Sequence, residues 1–253
     1  QSQNFTTATE ADNVAVGFQA GAGVTTGIKN TLIGTLAGDS LTDADSNVAV
    51  GRAALTTDTL GSCSVAIGRN ALISQNFTTA TDSFNTAVGD RAGAAVTTGV
   101  QNTIVGGLAG DAITVGGANV AIGYSALSAE DTGNRNVAVG NFALAVQNSH
   151  ATNNNTAVGY GAGTAVSTGI QNTVIGADAG SNITSGQQNT LIGAQLEAEA
   201  VGSNNCIGLG FNIVAGAGFT TLGIDSSDIR AAHGTATWAA VSDQRYKKDI
   251  VDS

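Results

Sequence analysis

The chain has 253 residues, with 35 glycines, no proline, no methionine and 4% aromatic residues. Aromatic and long aliphatic side chains carry most of the burial energy of a wide core, so this composition excludes an ordinary enzyme interior and points to a narrow, repeated one. The 9 basic against 19 acidic residues give a net charge of −10, which repels a phosphate backbone and excludes nucleic acid as a partner.

Hydrophobic residues reach 42% and charged ones only 11%, the reverse of a disordered composition. No stretch approaches the roughly 18 apolar residues of a membrane span, so no membrane insertion is expected. The opening Gln1-Ser2-Gln3-Asn4 lacks the basic and apolar regions of a signal peptide. A start at Gln in a chain without Met reads as a piece of a longer polypeptide, with residues 1–12 as its lead-in.

From residue 13 a short unit recurs, first as Asn13-Val14-Ala15-Val16-Gly17 and next as Asn30-Thr31-Leu32-Ile33-Gly34. Its closing glycines are Gly17, Gly34, Gly51, Gly68, Gly89, Gly106, Gly123, Gly140, Gly159, Gly176, Gly193, Gly208 and Gly223, mostly 17 apart. Longer gaps fall at 68 to 89 and 140 to 159, so four units form a super-repeat of about 70 residues. Residues 13–224 thus read as one repeat array.

Within the unit, β-branched residues alternate and end on a Gly that frees the backbone for a corner. An Ala three residues after the Gly, as at Ala20, Ala37 and Ala54, marks a second short segment. Two short strands and two turns per 17 residues predict one coil of a parallel β-solenoid, about 13 coils in all, rising about 4.8 Å each. The fold class is therefore all-β.

The Asn that opens the unit, seen at Asn13, Asn30, Asn102 and Asn172, suits a turn and is expected to form a structural ladder with its stacked copies, alongside Gly17, Gly34, Gly106 and Gly176. Both faces of the strand are apolar. One fills the coil; the other would leave an exposed stripe that soluble monomers avoid. Symmetry mates are the economical cover, and three flat faces close a prism, so a homotrimer is expected.

Catalysis or metal binding needs converging groups, and the chain has only His150 and His233, neither near a cysteine or a repeated acid in sequence. The nearest acid pairs, Glu10/Asp12, Asp43/Asp45 and Glu130/Asp131, fall in turns and read as solvating residues. No metal, cofactor or external-substrate chemistry is expected. Cys63 and Cys206 lie eight coils apart, roughly 40 Å along the rod, too far to pair within one chain.

The insertions at 73–84 and 145–154 are candidate loops on a rigid scaffold. They offer Phe77, Phe84 and His150 for contact with a glycan or protein, or else as anchors tucked against the rod. After Gly193 the motif weakens and residues 225–241 read as a cap and stem.

The Asn-(Val/Thr)-x-(Val/Ile)-Gly-x-x-Ala unit resembles the head repeats of trimeric autotransporter adhesins and similar arrays in phage tail fibres. That resemblance covers about residues 13–226 and implies a left-handed parallel β-roll in an intertwined trimer, although the 17-residue coil is longer than the adhesin pattern. At the C-terminus, Trp238-Ala239-Ala240-Val241-Ser242-Asp243-Gln244-Arg245-Tyr246-Lys247-Lys248 is similar to the opening of the self-cleaving intramolecular chaperone of endosialidase-type tailspikes and fibres. By that resemblance residues 242–253 begin the chaperone, Ser242 is the nucleophile, Lys247 its base and Val241–Ser242 the scissile bond. Cutting there is a single-turnover maturation step, so no enzyme acting on external substrates is implied.

The expected function is a trimeric fibre segment on a virion, presenting a surface to a host glycan or protein receptor. A bacterial surface adhesin is the alternative. A monomeric ice-binding solenoid is a further one, with Thr31, Thr86, Thr103, Thr156, Thr173 and Thr190 as a ladder that Val14, Val48, Val65, Val120 and Val137 interrupt.

Overall fold

A computed structural model describes residues 11–149, 152–234 and 239–240 of the chain. Among these residues there is no helix. The strands in chain order are β1 (Val14–Val16), β2 (Thr31–Ile33), β3 (Val48–Val50), β4 (Gly61–Ser62), β5 (Val65–Ile67), β6 (Thr81–Asp82), β7 (Thr86–Val88), β8 (Thr103–Val105), β9 (Val120–Ile122) and β10 (Val137–Val139). They continue as β11 (Thr156–Val158), β12 (Thr173–Ile175), β13 (Thr190–Ile192), β14 (Glu197–Ala198), β15 (Ile207–Phe211), β16 (Val214–Ala215), β17 (Phe219–Ile224), β18 (Ser227–Ala232) and β19 (Ala239–Ala240).

Repeated units pair coil on coil in one long sheet, with registers such as Val14↔Thr31, Ala15↔Leu32 and Val16↔Ile33. Parallel pairing runs from β1 through β17, after which β18 folds back antiparallel. The stack makes about twelve turns, a rod of roughly 60 Å at a 4.8 Å rise. The chain is therefore a parallel β-solenoid, one turn shorter than the unit count implies because the last strand closes the stack.

From β2 to β13 the middle residue of each three-residue strand points inward: Leu32, Ala49, Ala66, Ile104 and Val174 are all buried. Its two neighbours face out. Each closing glycine sits against the backbone of the next coil, and a Cβ on Gly106 would lie 2.5 Å from the Gly123 carbonyl oxygen. Its φ of +134° closes the position to other residues as well.

Two expectations need correction. The second short strand forms in only a few coils, as the two-residue parallel pairs β4–β6 and β14–β16; elsewhere after the glycine the chain turns through left-handed residues such as Leu36 (φ 60°) and Gly38 (φ 54°). These corners still bond between coils, as in Gly38 N–H to the Ala54 carbonyl at 2.9 Å, so the backbone is satisfied without a regular strand. The late register also shifts. Leu191 pairs with Gly208, which points inward, while Gly210 pairs with Gly223 and takes the corner. The corner spacing thus stays at 17 to residue 210, and Cys206 fills the asparagine position.

The interior is filled by a compensating pair of positions, four and seven residues after the closing glycine. Where the first is Gly (Gly21, Gly38, Gly93, Gly110, Gly163, Gly180) the second is a buried aliphatic (Val24, Leu41, Val96, Ile113, Val166, Ile183). Where the first is a buried Leu (Leu55, Leu72, Leu127, Leu144), the second is a buried polar residue: Asp58, Gln75, Glu130 or Gln147. Coils of each kind come in pairs, which gives the four-coil super-repeat its physical content.

Candidate functional site

The asparagine column is a ladder of side-chain rungs, interrupted at Ser64, where Ser83 Oγ takes over the Asn85 N–H (3.3 Å). Asn30 donates its Nδ2–H to the Ala44 carbonyl (2.7 Å), while its Oδ1 accepts the Asn47 N–H (2.9 Å). Asn102 and Asn172 repeat this toward Gly116 and Gly186 and toward the N–H groups of Asn119 and Asn189. Asn13 bonds the Gly27 carbonyl and the Asn30 N–H. These side chains are consumed by the scaffold, and at Asn30, Asn102 and Asn172 they are buried, leaving no polar atom for a ligand.

Both insertions are anchored by buried carboxylates that sequence reasoning missed. Asp58 Oδ1 accepts the N–H groups of Gly61 (3.1 Å) and Phe77 (2.9 Å), and its Oδ2 accepts Gln75 Nε2–H (2.6 Å). In the second insertion Glu130 Oε1 accepts the Gly133 N–H (2.8 Å), and Oε2 accepts Gln147 (3.0 Å) and Asn153 (2.6 Å). Glu130 is therefore not a solvating turn residue as expected. Burial raises its carboxyl pKa, although bonds from Gly133 and Gln147 pull the other way. The signal in the sequence was the Leu that replaces Gly three residues earlier.

Every acid of these networks is bonded by N–H donors and buried, so neither network is an acid/base site facing substrate. Asp43 and Asp45 likewise accept from the preceding coil, from Thr26 Oγ1–H and the Ile28 N–H. Among the described residues no group of three or more His, Cys, Asp or Glu is placed to hold a metal ion. Cys63 and Cys206 are free thiols, raised in pKa chiefly by burial.

The insertion aromatics part company. Phe77 is 6% exposed, tucked beneath its loop beside Asp58, which removes it as a contact residue. Phe84 occupies the left-handed corner that precedes the asparagine ladder and is 57% exposed. His150, Ser242 and Lys247 lie outside the described residues.

Two surfaces differ in kind. On the outer sheet face the first residue of each stacked strand from β1 to β13 is Val or Thr and the third is Val or Ile, all half-buried or exposed. At the adjoining corner, one residue after the glycine, the chain varies freely: Arg52, Arg69, Asp90, Gly107, Tyr124, Asn141, Tyr160. Arg69 there grips Asp90 through two bonds of 2.7 and 2.8 Å. Further along, Phe142 meets Tyr124 and Tyr160 edge-on at centroid distances of 5.6 and 6.2 Å.

Comparison with family models, with curated proteins and with solved structures gives no match.

Proposed function

We propose that the chain is a stiff segment of a homotrimeric fibre of the phage tail-fibre kind, whose work is attachment and mechanical display toward a cell-surface glycan or protein receptor. The observation that carries this reading is the unbroken β-branched outer face. Eleven strands present two ranks with no charge among them, one wholly Val or Ile and the other Val or Thr, so an unbroken aliphatic rank runs along the rod, a surface that a soluble monomer avoids. A uniform flat face on every coil is what a self-complementary contact along the rod requires.

The interior supports the mechanical half of the reading. Buried side chains and coil-to-coil hydrogen bonds run the length of the stack, so load passes along many parallel bonds. A bacterial trimeric surface adhesin uses the same trimer and differs in the surface that carries it. The ice-binding reading is disfavoured by the outer face itself, where Val48, Val65, Val120 and Val137 break the threonine rank.

Adhesion is the direct test. Fluorescently labelled chain should be retained on the surface of susceptible bacterial cells and be displaced by unlabelled chain. Absence of displaceable binding across a panel of cell types, together with a trimeric mass, would reduce the segment to a spacer.

A further inference from the structure

The corner that runs beside the outer face carries the chain's variation, and one stretch of it is built for stacking. Tyr124, Phe142 and Tyr160 come from three successive coils and are 49%, 37% and 59% exposed. Phe142 stands nearly perpendicular to both neighbours, at 83° and 87°, so the edge-to-face contacts hold the rings while leaving them open to solvent. These are the only ring pairs among the described residues.

The backbone beneath is fixed. Phe142 sits at φ 60°, a conformation few aromatic residues adopt, and the Tyr124 N–H is held by Asn141 Oδ1 at 3.1 Å. Small residues flank the rings: a Cβ on Gly107 would lie 3.6 Å from Tyr124 Cδ2, so that ring rests against bare backbone. A platform locked in this way loses little freedom on binding.

We infer that Tyr124, Phe142 and Tyr160 form a binding platform for a neutral oligosaccharide, deepening the attachment reading on which the inference rests. The chemistry selects this class. Sugar rings present C–H faces that stack on aromatic rings and hydroxyls that bond to polar groups, and here two phenol hydroxyls and Asn141 lie beside the rings. Charge excludes the polyanions that aromatic ladders also serve: between Gly107 and Asp178 the corner positions hold no cation, and the chain carries −10 overall. The ring centroids are 5.6 and 6.2 Å apart, with Phe142 turned nearly perpendicular between the tyrosines, so the tyrosine faces are left to stack on separate units of one extended saccharide.

The experiment is saturation-transfer NMR and calorimetry of the full chain with chitotetraose, maltoheptaose and lacto-N-tetraose at millimolar concentration, repeated on Tyr124→Ala, Tyr160→Ala and, as a control at an exposed aromatic in the first coil, Phe18→Ala. At least one sugar is expected to bind, with contacts from its C–H protons. Each tyrosine variant should weaken it about tenfold, the worth of one stacked ring, while F18A leaves it unchanged. The inference is overturned if none of the three sugars binds, if the tyrosine variants bind as the parent does, or if they lower the oligomer mass, which would make the rings a subunit contact. Cell retention that survives Y124A and Y160A would also overturn it while leaving the attachment reading intact. Tyrosine-dependent sugar binding without cell retention would support the platform and refute attachment.

Discussion

Gly38 and Leu41 share one space: a Cβ on Gly38 would lie 2.8 Å from Leu41 Cδ1. Three residues apart in sequence, they meet inside the coil because the left-handed turn at Gly38 brings the chain back over the core. Gly38→Ala adds a left-handed alanine, costing about 1 kcal/mol, and an overpacked contact of about 1–3 kcal/mol more. Leu41→Ala alone costs about 2–5 kcal/mol through its cavity. The double variant should be less destabilised than the sum of the two, because each change relieves part of the other. Denaturant midpoints of the three variants check this; strict additivity would refute the shared space.

Asn102 carries two rungs of the ladder. Asn102→Ala strands the Asn119 N–H and the Gly116 carbonyl, both bonded by its side chain, and should lose about 2–4 kcal/mol for two buried unpaired groups. Asn102→Asp should fare worse than N102A, since a carboxylate oxygen then faces the Gly116 carbonyl. Amide exchange at Asn119 offers a local readout: it should quicken in N102A before exchange rises elsewhere.

Glu130 and Asp111 make the fold sensitive to pH in a stated direction. Burial raises both carboxyls above their ordinary values, in Asp111 against the pull of Arg91. The folded chain then holds these protons to higher pH than the unfolded chain does. Their contribution to stability therefore falls as pH rises from about 4 to 4.5, the ordinary carboxylate range, through the raised values. The denaturant midpoint should be lower at about pH 7 than at about pH 5. Glu130→Gln should shrink that difference, yet lower both midpoints through a loss of about 1–3 kcal/mol of stability, because one amide oxygen cannot serve the donors that two carboxylate oxygens serve. A midpoint that rises with pH, or an unchanged slope in E130Q, would contradict this account.

The outer face offers the sharpest perturbation of assembly. Val105 lies half-buried on the outer rank of β8, midway along the rod. Val105→Asp places a charge where the fibre reading puts a subunit contact, and an unpaired charge buried there costs several kcal/mol. The variant should sediment as a monomer while keeping the parent's circular dichroism. A V105D chain that keeps the parent's oligomer mass would contradict the assignment of this face to a subunit contact.

How far these features can be read from residues alone depends on how tightly geometry restricts residue type. The corner glycines and the ladder asparagines are legible because a φ near +134° against a neighbouring carbonyl admits glycine alone, and because only an amide both donates and accepts in the required places. Two left-handed columns escape notice since ordinary side chains fill them: Leu36, Arg91, Leu108 and Phe142 in one, Lys29, Phe84 and Arg135 in the other. Their trace is a negative one. Through the array, neither column contains Val, Ile or Thr, in a chain rich in all three, because β-branched residues tolerate positive φ least.

The buried carboxylates were hidden for a different reason. Asp58 and Glu130 look like loop acids until Leu55 and Leu127 are seen to fill the space that Leu41 and Ile113 fill in the apolar coils. The register after Gly193 was misread because Gly208 and Gly210 both follow a plausible strand, and only pairing of Gly210 with Gly223 distinguishes them. The aromatic corner was invisible because Tyr124, Phe142 and Tyr160 do not share one repeat position.

The most direct measurement is the solution mass by light scattering after size exclusion. The fibre reading predicts three times the 24.8 kDa chain, since three copies bury the uncharged outer ranks around a common axis. A mass of 24.8 kDa at micromolar concentration would contradict it, leaving a solitary solenoid with that face in water.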